Sequence, residues 1–397
     1  MVAYVNRLPD ELLFLVFEHY VCTYYGLPEV LLLVCRLWHA LATRLPRLWT
    51  PLDFQRRVST CVPLGYPVWM GSFIWARCIR SNPMPLDLDF TFLNHYINRE
   101  AIFLQFIQIP GIVDRCRSLV ITQNYELAIL RHSSGLPYLE ELAIGNYGVD
   151  KDITLLEPLQ WRPELCPRFR SLDIYNFYGE NWPSTLFELP LRLTVSIGLH
   201  IPETSSIFAP LEKAINVRDL TLNVDFDFIY EEEDRGIILE CPPLTLRHVT
   251  HLSIHYENET LVLLRHPFRN LTFPSLTSLE VDLWSIVYLQ GILLVPIHTL
   301  RQFTFVCPDR THIIEPVLDV LKMVPNIDHL GLSLVFYNME GIVLGLENDS
   351  LLCRNLRTLE CEGRSEEISM NRALEARVEE RFKALQGWIL PRDAPVV

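Results

Sequence analysis

The chain has little positive charge for its 397 residues. Lys and Arg number 34 against 48 Asp and Glu, so the formal net charge at pH 7 is −14. No local run of basic residues compensates for this deficit. Proteins that bind nucleic acid depend on clustered Lys and Arg, which displace the counterions of the phosphates. We therefore expect no nucleic acid among the partners of this protein.

Cysteine motifs and export signals are also missing. The ten cysteines are scattered, and the closest pair, Cys353 and Cys361, lacks the CxxC spacing of zinc and redox sites. This predicts reduced, mostly buried thiols and no metal or cofactor. The N-terminus lacks the basic, apolar and small-residue parts of a secretory signal. No apolar run there is long enough to cross a membrane. We expect a folded soluble protein of the cytosol or nucleus.

Signatures of catalysis are absent as well. The sequence has no GxSxG, GxxxxGK[ST], HExxH or GxGxxG motif. Isolated Ser, His and Asp residues are abundant, but sequence order alone does not assemble them into a triad. We expect a non-catalytic protein; a hydrolase built among the loops is an alternative with only these scattered residues in its favour.

Apolar residues are instead concentrated near the N-terminus, in LPDELLFLVF (residues 8–17) and LLLVCRLW (residues 31–38). Pro, Asp and Glu at residues 9–11 predict the beginning of a helix that runs to about Tyr20. A second helix is predicted over residues 29–44. The apolar residues expected to share the buried face of the first helix are Leu12, Leu13, Val16, Phe17 and Tyr20.

These two helices are apolar around almost their whole circumference. Helices this short cannot enclose apolar side chains on every face by themselves, so another surface must cover part of them. That surface is either the rest of the chain, against which a helical hairpin would pack completely, or a second protein. The residues themselves leave both possibilities open.

The order of residues here resembles a known family. LPDELL at residues 8–13, Phe17, VCR at residues 34–36 followed by Trp38, and a terminal LW at residues 48–49 are similar to the F-box, a three-helix module. The resemblance covers residues 7–53. It implies docking onto a Skp-family adaptor, which joins the module to a cullin scaffold that carries a RING protein. The residues that the resemblance implies for this docking are Leu8, Pro9, Leu12, Phe17, Val34, Cys35 and Trp38.

The resemblance continues beyond the module. WARCIRS at residues 75–81 and PLDLDF at residues 85–90 look like the helix and strand that follow the F-box in a large group of fungal F-box proteins. The alternation of the second segment predicts a strand, with Leu86, Leu88 and Phe90 on one face.

The remainder repeats one short pattern, in which three apolar residues are separated by two residues and then by one. Ten copies recur at a mean spacing of about 27 residues, near that of leucine-rich repeats. Their central apolar residues are Leu119, Leu142, Leu172, Val195, Leu220, Leu252, Leu279, Phe303, Leu330 and Leu359. Each copy predicts a short strand followed by a variable return, and stacking of the copies builds a parallel sheet.

The predicted fold class is therefore α/β. A small all-α F-box of three helices is expected at residues 1–53, followed by a helical linker at 54–84. An irregular leucine-rich-repeat-like solenoid with a curved parallel sheet is expected at residues 85–363. The charged segment at 364–397 predicts a C-terminal capping helix and tail.

Residues that flank the central apolar positions should point outward on the concave face. This face carries Tyr175, three histidines, seven acids and no Lys or Arg, which favours a target protein with a positively charged segment. The acids are Glu141, Asp173, Asp219, Glu280, Asp282, Glu360 and Glu362, and the histidines are His251, His255 and His329. The alternative is a merely solvated face whose ligand binds a rim or loop.

The pair His251 and His255 shares a face of one strand, a geometry that could hold a metal. No third ligand stands at a helpful spacing, so we expect two solvated histidines.

Two functions fit this organisation. The resemblance implies a substrate-recognition subunit of an SCF-type E3 ubiquitin ligase, which binds the adaptor through the F-box and a target through the solenoid. The alternative is a leucine-rich-repeat scaffold or inhibitor whose F-box-like hairpin serves as an N-terminal cap.

Overall fold

The computed structural model divides the chain into two compact units, Met1–Pro190 and Leu191–Val397. The residues it describes are 8–23, 27–53, 75–90, 99–131, 135–145, 161–175, 184–188, 190–198, 209–225, 243–256, 270–282, 298–306, 314–334, 341–342, 344–346, 352–353 and 355–363. The predicted C-terminal capping helix lies outside these residues. Within the described part of the chain, no helix is both long and apolar enough to cross a membrane.

The first unit begins with three helices, α1 (Asp10–Thr23), α2 (Pro28–Val34) and α3 (Arg36–Thr43), and a 3-10 turn (Pro46–Trp49). The prediction of one continuous helix over residues 29–44 is wrong. Cys35 is extended, with φ −163° and ψ 171°, and it separates α2 from α3.

The break at Cys35 has a packing cause. In a continuous helix Leu31 and Leu41 would lie about 15 Å apart along the axis, because an α-helix rises about 1.5 Å per residue. With the chain turned at Cys35, α2 and α3 contact each other, and both leucines enter one core. The carbonyl oxygen of Cys35 accepts a hydrogen bond from the amide of His39 at 2.9 Å, which begins α3.

The helices enclose a small apolar core of their own, formed by Leu13, Phe17, Val21, Leu31, Leu41, Ala42, Leu48 and Trp49. The indole of Trp49 donates a hydrogen bond to the carbonyl of Ala42 at 2.9 Å. On α1 the buried residues recur every fourth position, at Leu13, Phe17 and Val21. The prediction that Leu12 and Val16 share this buried face is wrong, because these side chains are 46% and 47% exposed.

Parallel strands follow in the first unit. They are β1 (Pro51–Asp53), β2 (Leu86–Asp89), β3 (Cys116–Ile121), β4 (Glu141–Gly145) and β5 (Ser171–Tyr175), paired in chain order. Two helices, α4 (Arg99–Ile107) and α5 (Ser184–Glu188), also belong to this unit.

One column of buried leucines crosses the strands of the first unit. Leu52, Leu88, Leu119, Leu142 and Leu172 are each aligned with the next and are at most 1% exposed. The predicted strand at residues 85–90 is confirmed. Strand β1 was not predicted, since three residues carry too little alternation to be recognised.

The second unit continues the same design. Its main parallel strands are β6 (Arg192–Gly198), β7 (Asp219–Asp225), β9 (His251–Tyr256), β11 (Ser278–Asp282), β12 (Gln302–Val306), β13 (His329–Leu334) and β14 (Thr358–Gly363). A separate parallel pair is formed by β8 (Leu244–Thr245) and β10 (Leu271–Thr272). Helices α6 (Ala209–Lys213) and α7 (Ile314–Met323) lie between strands.

A second column of buried residues crosses this unit, through Leu193, Leu220, Leu252, Leu279, Phe303, Leu330 and Leu359. All ten predicted repeat centres lie in strands, and the α/β class with parallel strands is confirmed. The copy centred on Val195 is two residues out of register, because Leu193 aligns with Leu220 and Val195 with Leu222. A shift of two residues keeps a side chain on the same face of a strand, so alternation alone does not reveal it.

Candidate functional site

Two apolar stripes are exposed on the N-terminal helices. The first consists of Leu8, Leu12, Leu15 and Val16, which are 38%, 46%, 61% and 47% exposed. The second consists of Val30, Leu33 and Val34 on α2, which are 43%, 84% and 53% exposed. We refer to them as the α1 stripe and the α2 stripe. Spacings of three and four residues place each stripe on one side of its helix.

The stripes are separate from the core of the helices. On α1, helical geometry turns Leu12 and Val16 away from Phe17 and Val21, by about 100–180° around the axis. On α2, Leu33 lies on the side roughly opposite to Leu31, which is 4% exposed. The helices therefore bury one apolar set among themselves and leave a second set in contact with solvent. Soluble monomers seldom expose such patches without a partner for them.

The residues predicted for adaptor docking differ in exposure. Leu8, Leu12 and Val34 belong to the stripes, whereas Phe17 is fully buried and its ring centroid lies 4.8 Å from that of Trp38. Trp38 and Cys35 are half-buried.

Pro9 contributes at the beginning of α1. Its side chain is exposed, and its carbonyl oxygen accepts hydrogen bonds from the amides of Leu12 and Leu13, both at 3.1 Å. The bond from Leu13 is the first i→i−4 hydrogen bond of the helix, so Pro9 is the N-cap residue of α1.

The set of residues predicted from the sequence did not include Leu15, Val16, Val30 or Leu33, which the structure leaves exposed in the stripes. The signal for the first two was present, because they lie seven and eight residues after Leu8, at helical spacing. For Val30 and Leu33, the sequence could not predict which face of α2 is buried, because apolar residues occur on every side of this helix.

A set of arginines joins these helices to the strands of the first unit through the segment 75–90. Residues 75–80 are helical, and Arg77, which is 0% exposed, forms a bidentate ion pair with Glu29 of α2. Arg80 lies over the ring of Trp49, 4.6 Å from its centroid. We call this segment the 75–90 joint.

The other side of the joint is held by Arg115, which directly precedes β3. Its guanidinium donates to the carbonyl oxygens of Cys78 at 2.9 Å and Met84 at 3.2 Å. Burial lowers the pKa of Arg115 and raises the pKa of the Cys78 thiol to about 12. The predicted domain boundary at residue 53 therefore has side-chain contacts across it.

The second candidate surface is the outward side of the strands in the second unit. Here each of three histidines lies beside a carboxylate on a neighbouring strand. His251 Nδ1 is 3.0 Å from Asp219 Oδ1, His255 Nε2 is 3.9 Å from Glu280 Oε1, and His329 Nε2 is 3.5 Å from Glu360 Oε2. We call this the acid–histidine face. Asp282 occupies an outward position on β11, two residues beyond Glu280, and Glu362 belongs to β14.

The prediction of no Lys or Arg on this face is wrong. Because β6 is shifted by two residues, Arg192 aligns with Asp219, and its Nε lies 4.0 Å from Asp219 Oδ2. Both side chains are well exposed, so this ion pair is screened by water. Among the described residues of the face, carboxylates still outnumber this guanidinium.

The first unit carries the remaining predicted contact residues. Asp173 and Tyr175 lie on β5 and are half-buried, and Glu141 lies exposed on β4. Tyr175 packs directly beside Gly145, where an added Cβ would come within 2.7 Å of the carbonyl oxygen of Tyr175. Gly145 therefore permits the close approach of the two strand ends.

The histidine contacts on β9 do not form a catalytic relay. Thr250 Oγ1 lies 2.9 Å from His251 Nδ1, and Asp219 Oδ1 lies 3.0 Å from the same nitrogen. A relay needs the hydroxyl and the carboxylate on opposite ring nitrogens. His251 and His255 contact different carboxylates, and no group of three His, Cys, Asp or Glu in the described ranges could hold a metal ion.

One buried carboxylate lies apart from both surfaces. Glu126, in the 3-10 segment Asn124–Arg131 after β3, is 0% exposed. Its Oε2 accepts hydrogen bonds from the amides of Thr122 at 2.6 Å and Gln123 at 3.1 Å. Burial outweighs these bonds and raises the pKa of Glu126 to about 7. No sequence pattern indicated this residue.

Comparison with known proteins adds no relative to this description. No protein-family model matches the chain, and no curated protein matches it. The function is therefore argued from the two stripes, the joint and the acid–histidine face.

Proposed function

We propose that this protein is a substrate-recognition subunit of an SCF-type E3 ubiquitin ligase. In this proposal α1 to α3 form an F-box that binds a Skp-family adaptor and, through it, a cullin. The repeated strands form a leucine-rich-repeat-like solenoid that binds a target protein in the cytosol or nucleus. Catalysis belongs to other subunits of the ligase. The observation that carries the proposal is the pair of exposed apolar stripes on helices that already have a core.

The stripes offer apolar surface whose burial would favour a contact. Fully burying a Val or Leu side chain contributes about 1.5–3 kcal/mol. Leu33, at 84% exposed, has the most surface to lose, and Leu15 follows at 61%. Binding energy usually concentrates in a few such residues. We therefore propose Leu12, Leu33 and Val34 as the main adaptor contacts, with Phe17 and Trp38 supporting them from within the helical core.

Co-purification with the adaptor tests this proposal. The variant Leu12→Asp/Leu33→Asp should fold normally, since both side chains are exposed, and should lose the adaptor because charges replace apolar contacts. Replacing Leu8 and Pro9 together with alanine should also weaken recovery. The matched control is Ile215→Asp, which places the same charge at a side chain that is 59% exposed in the second unit. Unchanged recovery of the adaptor by the double variant would refute the proposal.

For the target we propose the acid–histidine face of the second unit as the contact surface, and a target that presents a basic segment. Carboxylates on an exposed face attract a positively charged partner, and added salt weakens that attraction. Proteins captured from cells after proteasome inhibition should include a species retained by the wild type and lost by Glu280→Gln/Glu360→Gln. A captured species indifferent to these substitutions and to salt would place the target contact elsewhere.

The scaffold or inhibitor alternative also has an observation in its favour. The 75–90 joint fastens α2 to the strands through Arg77 and Glu29, as a cap would be fastened. If the helices serve only as a cap, no adaptor should co-purify with any variant or with the wild type. Adaptor recovered by the wild type and lost by Leu12→Asp/Leu33→Asp favours the ligase subunit.

A further inference from the structure

The positive charges of this chain are almost all guanidinium groups. Of the 34 basic residues, four are lysines, at positions 151, 213, 322 and 383, and the first 150 residues contain none. Lysine ordinarily ranks among the commonest residues of soluble proteins. We therefore ask which of the arginines have contacts that a lysine could not form.

Geometry explains some of the arginines. Arg77 with Glu29 and Arg117 with Asp87 form two-pronged ion pairs, and Arg115 donates to two carbonyl oxygens within the joint. Lysine cannot form these contacts, because an ammonium group is a point charge without the planar fork of a guanidinium.

Other arginines have no such requirement. Arg36, Arg44 and Arg47 on the N-terminal helices, and Arg247 and Arg357 in the second unit, are exposed to solvent. An ammonium group would be hydrated at least as well at these positions. Packing therefore does not explain why arginine is used in place of lysine at these exposed positions.

The two lysines in the described residues lie at the ends of helices in the second unit. Lys213 ends α6 and is half-buried, and Lys322 lies in the last turn of α7, 2.7 Å from Asp319 Oδ1. Neither lies in the first unit, which carries the α1 and α2 stripes. The surface around the proposed adaptor contact thus has no lysine among its described residues.

We propose that this chain resists modification by its own ligase because its surface cations are guanidinium groups, which cannot accept ubiquitin. The inference rests on the proposed function and concerns regulation of the same complex. It assigns Lys213 and Lys322 as the acceptor sites that remain in the described part of the chain.

Lysine and arginine differ in this respect because of the chemistry of ubiquitin transfer. The neutral ε-amino nitrogen of a lysine attacks the thioester carbonyl that links ubiquitin to a cysteine of the conjugating enzyme. A C–N amide bond forms, the C–S bond breaks, the thiol departs and the amine proton passes to solvent. A guanidinium does not lose its proton in proteins, so it has no lone pair for this attack. Replacing Lys with Arg keeps the charge and removes the acceptor.

The test is self-modification in a reconstituted ligase that contains the full chain, adaptor, cullin, RING protein, ubiquitin, activating and conjugating enzymes and ATP. The variant Arg218→Lys/Arg247→Lys/Arg357→Lys changes three exposed positions in the second unit. It should carry about 1.75-fold more ubiquitin than the wild type if all lysines react alike, because three exposed amines join the chain's four. Mapping of the modified peptides should find ubiquitin on the new lysines.

Two controls separate the possible causes. Glutamine at the same three positions should leave modification at the wild-type level, and Lys213→Arg/Lys322→Arg should lower it. If the wild type is modified as heavily as the lysine variant while retaining the adaptor, the inference fails and the proposed function stands. If no variant retains the adaptor, the proposed function fails, and this inference fails with it.

Discussion

Glu29 and Arg77 are 48 residues apart in the chain and form a bidentate ion pair, with Arg77 Nε 2.7 Å from Glu29 Oε1 and Nη2 2.6 Å from Oε2. The arginine is completely buried, whereas the carboxylate remains 21% exposed. This pair fixes α2 against the joint. A buried guanidinium that loses this carboxylate would face a large desolvation cost.

Glu29→Ala should therefore destabilise the protein by about 3–5 kcal/mol, as is typical when one partner of a buried ion pair is removed. The measurement is urea unfolding followed by circular dichroism. The matched control is Asp87→Ala, which breaks the two-pronged pair with Arg117 at an exposed site. That loss should stay near 0–1 kcal/mol, as is typical of surface pairs. Equal losses for the two variants would show that burial is not the cause.

Leu31 and Leu33 are neighbours on α2 with opposite environments, 4% and 84% exposed. Leu31→Ala should cost about 2–5 kcal/mol of stability, because it opens a cavity in the helical core. Leu33→Ala should change stability by at most about 0.5 kcal/mol, as surface substitutions do. Adaptor titration should show the reverse order, with Leu33→Ala weakening binding more than a folded Leu31→Ala protein. A stability loss for Leu33→Ala like that of Leu31→Ala would mean that the α2 stripe is covered by the chain itself.

Glu126 should make stability depend on pH. Its pKa of about 7 in the folded protein lies above the ordinary value of 4.5, so the folded state retains a proton that the unfolded state releases between these values. Stability should therefore fall as pH rises through this window, by up to about 3 kcal/mol from this group. Glu126→Gln cannot ionise and should remove that part of the slope.

Urea unfolding of wild type and Glu126→Gln at about pH 5 and about pH 8 measures this contribution. The free energy of unfolding of Glu126→Gln, relative to that of the wild type, should be larger at the higher pH. The control is Glu164→Gln, since Glu164 is exposed in the same unit. A pH dependence unchanged by Glu126→Gln would contradict the raised pKa.

Thiol reactivity should distinguish Cys35 from the buried cysteines. Burial raises the pKa of Cys166 to about 11 and those of Cys78 and Cys353 to about 12, and it also raises the pKa of Cys116. Cys35 is only half-buried, beside Val34 of the α2 stripe. The thiolate is the reactive form, so iodoacetamide at neutral pH should modify Cys35 at least about tenfold faster than these four.

Bound adaptor should protect Cys35 from the reagent, and peptide mapping by mass spectrometry reports each site separately. Denaturant provides the control, because unfolding should bring all five cysteines to similar rates. Modification of Cys35 at the same rate with and without the adaptor would place the contact away from this end of α2.

The repeat pattern predicted the strands well because its information is local. A leucine such as Leu252 or Leu330 favours burial in any context. The alternation of a strand then places its neighbours outward. The prediction failed at Val195 because Leu193, two residues earlier, suits the same inward position. Pairing with Leu220 on the next strand decided between the two. The prediction that the outward face has no basic residue was wrong for the same reason, because this shift places Arg192 on that face.

The sequence by itself determined that parallel strands recur along the chain and that the N-terminal helices carry more apolar surface than their own core needs. Only the tertiary structure decided that Leu13 and Leu31 face inward while Leu12 and Leu33 face solvent. A helix that is apolar on all sides has no preferred face until its neighbours cover one. The break at Cys35 and the pairing of Arg77 with Glu29 also arise from contacts between distant segments, which no local pattern encodes.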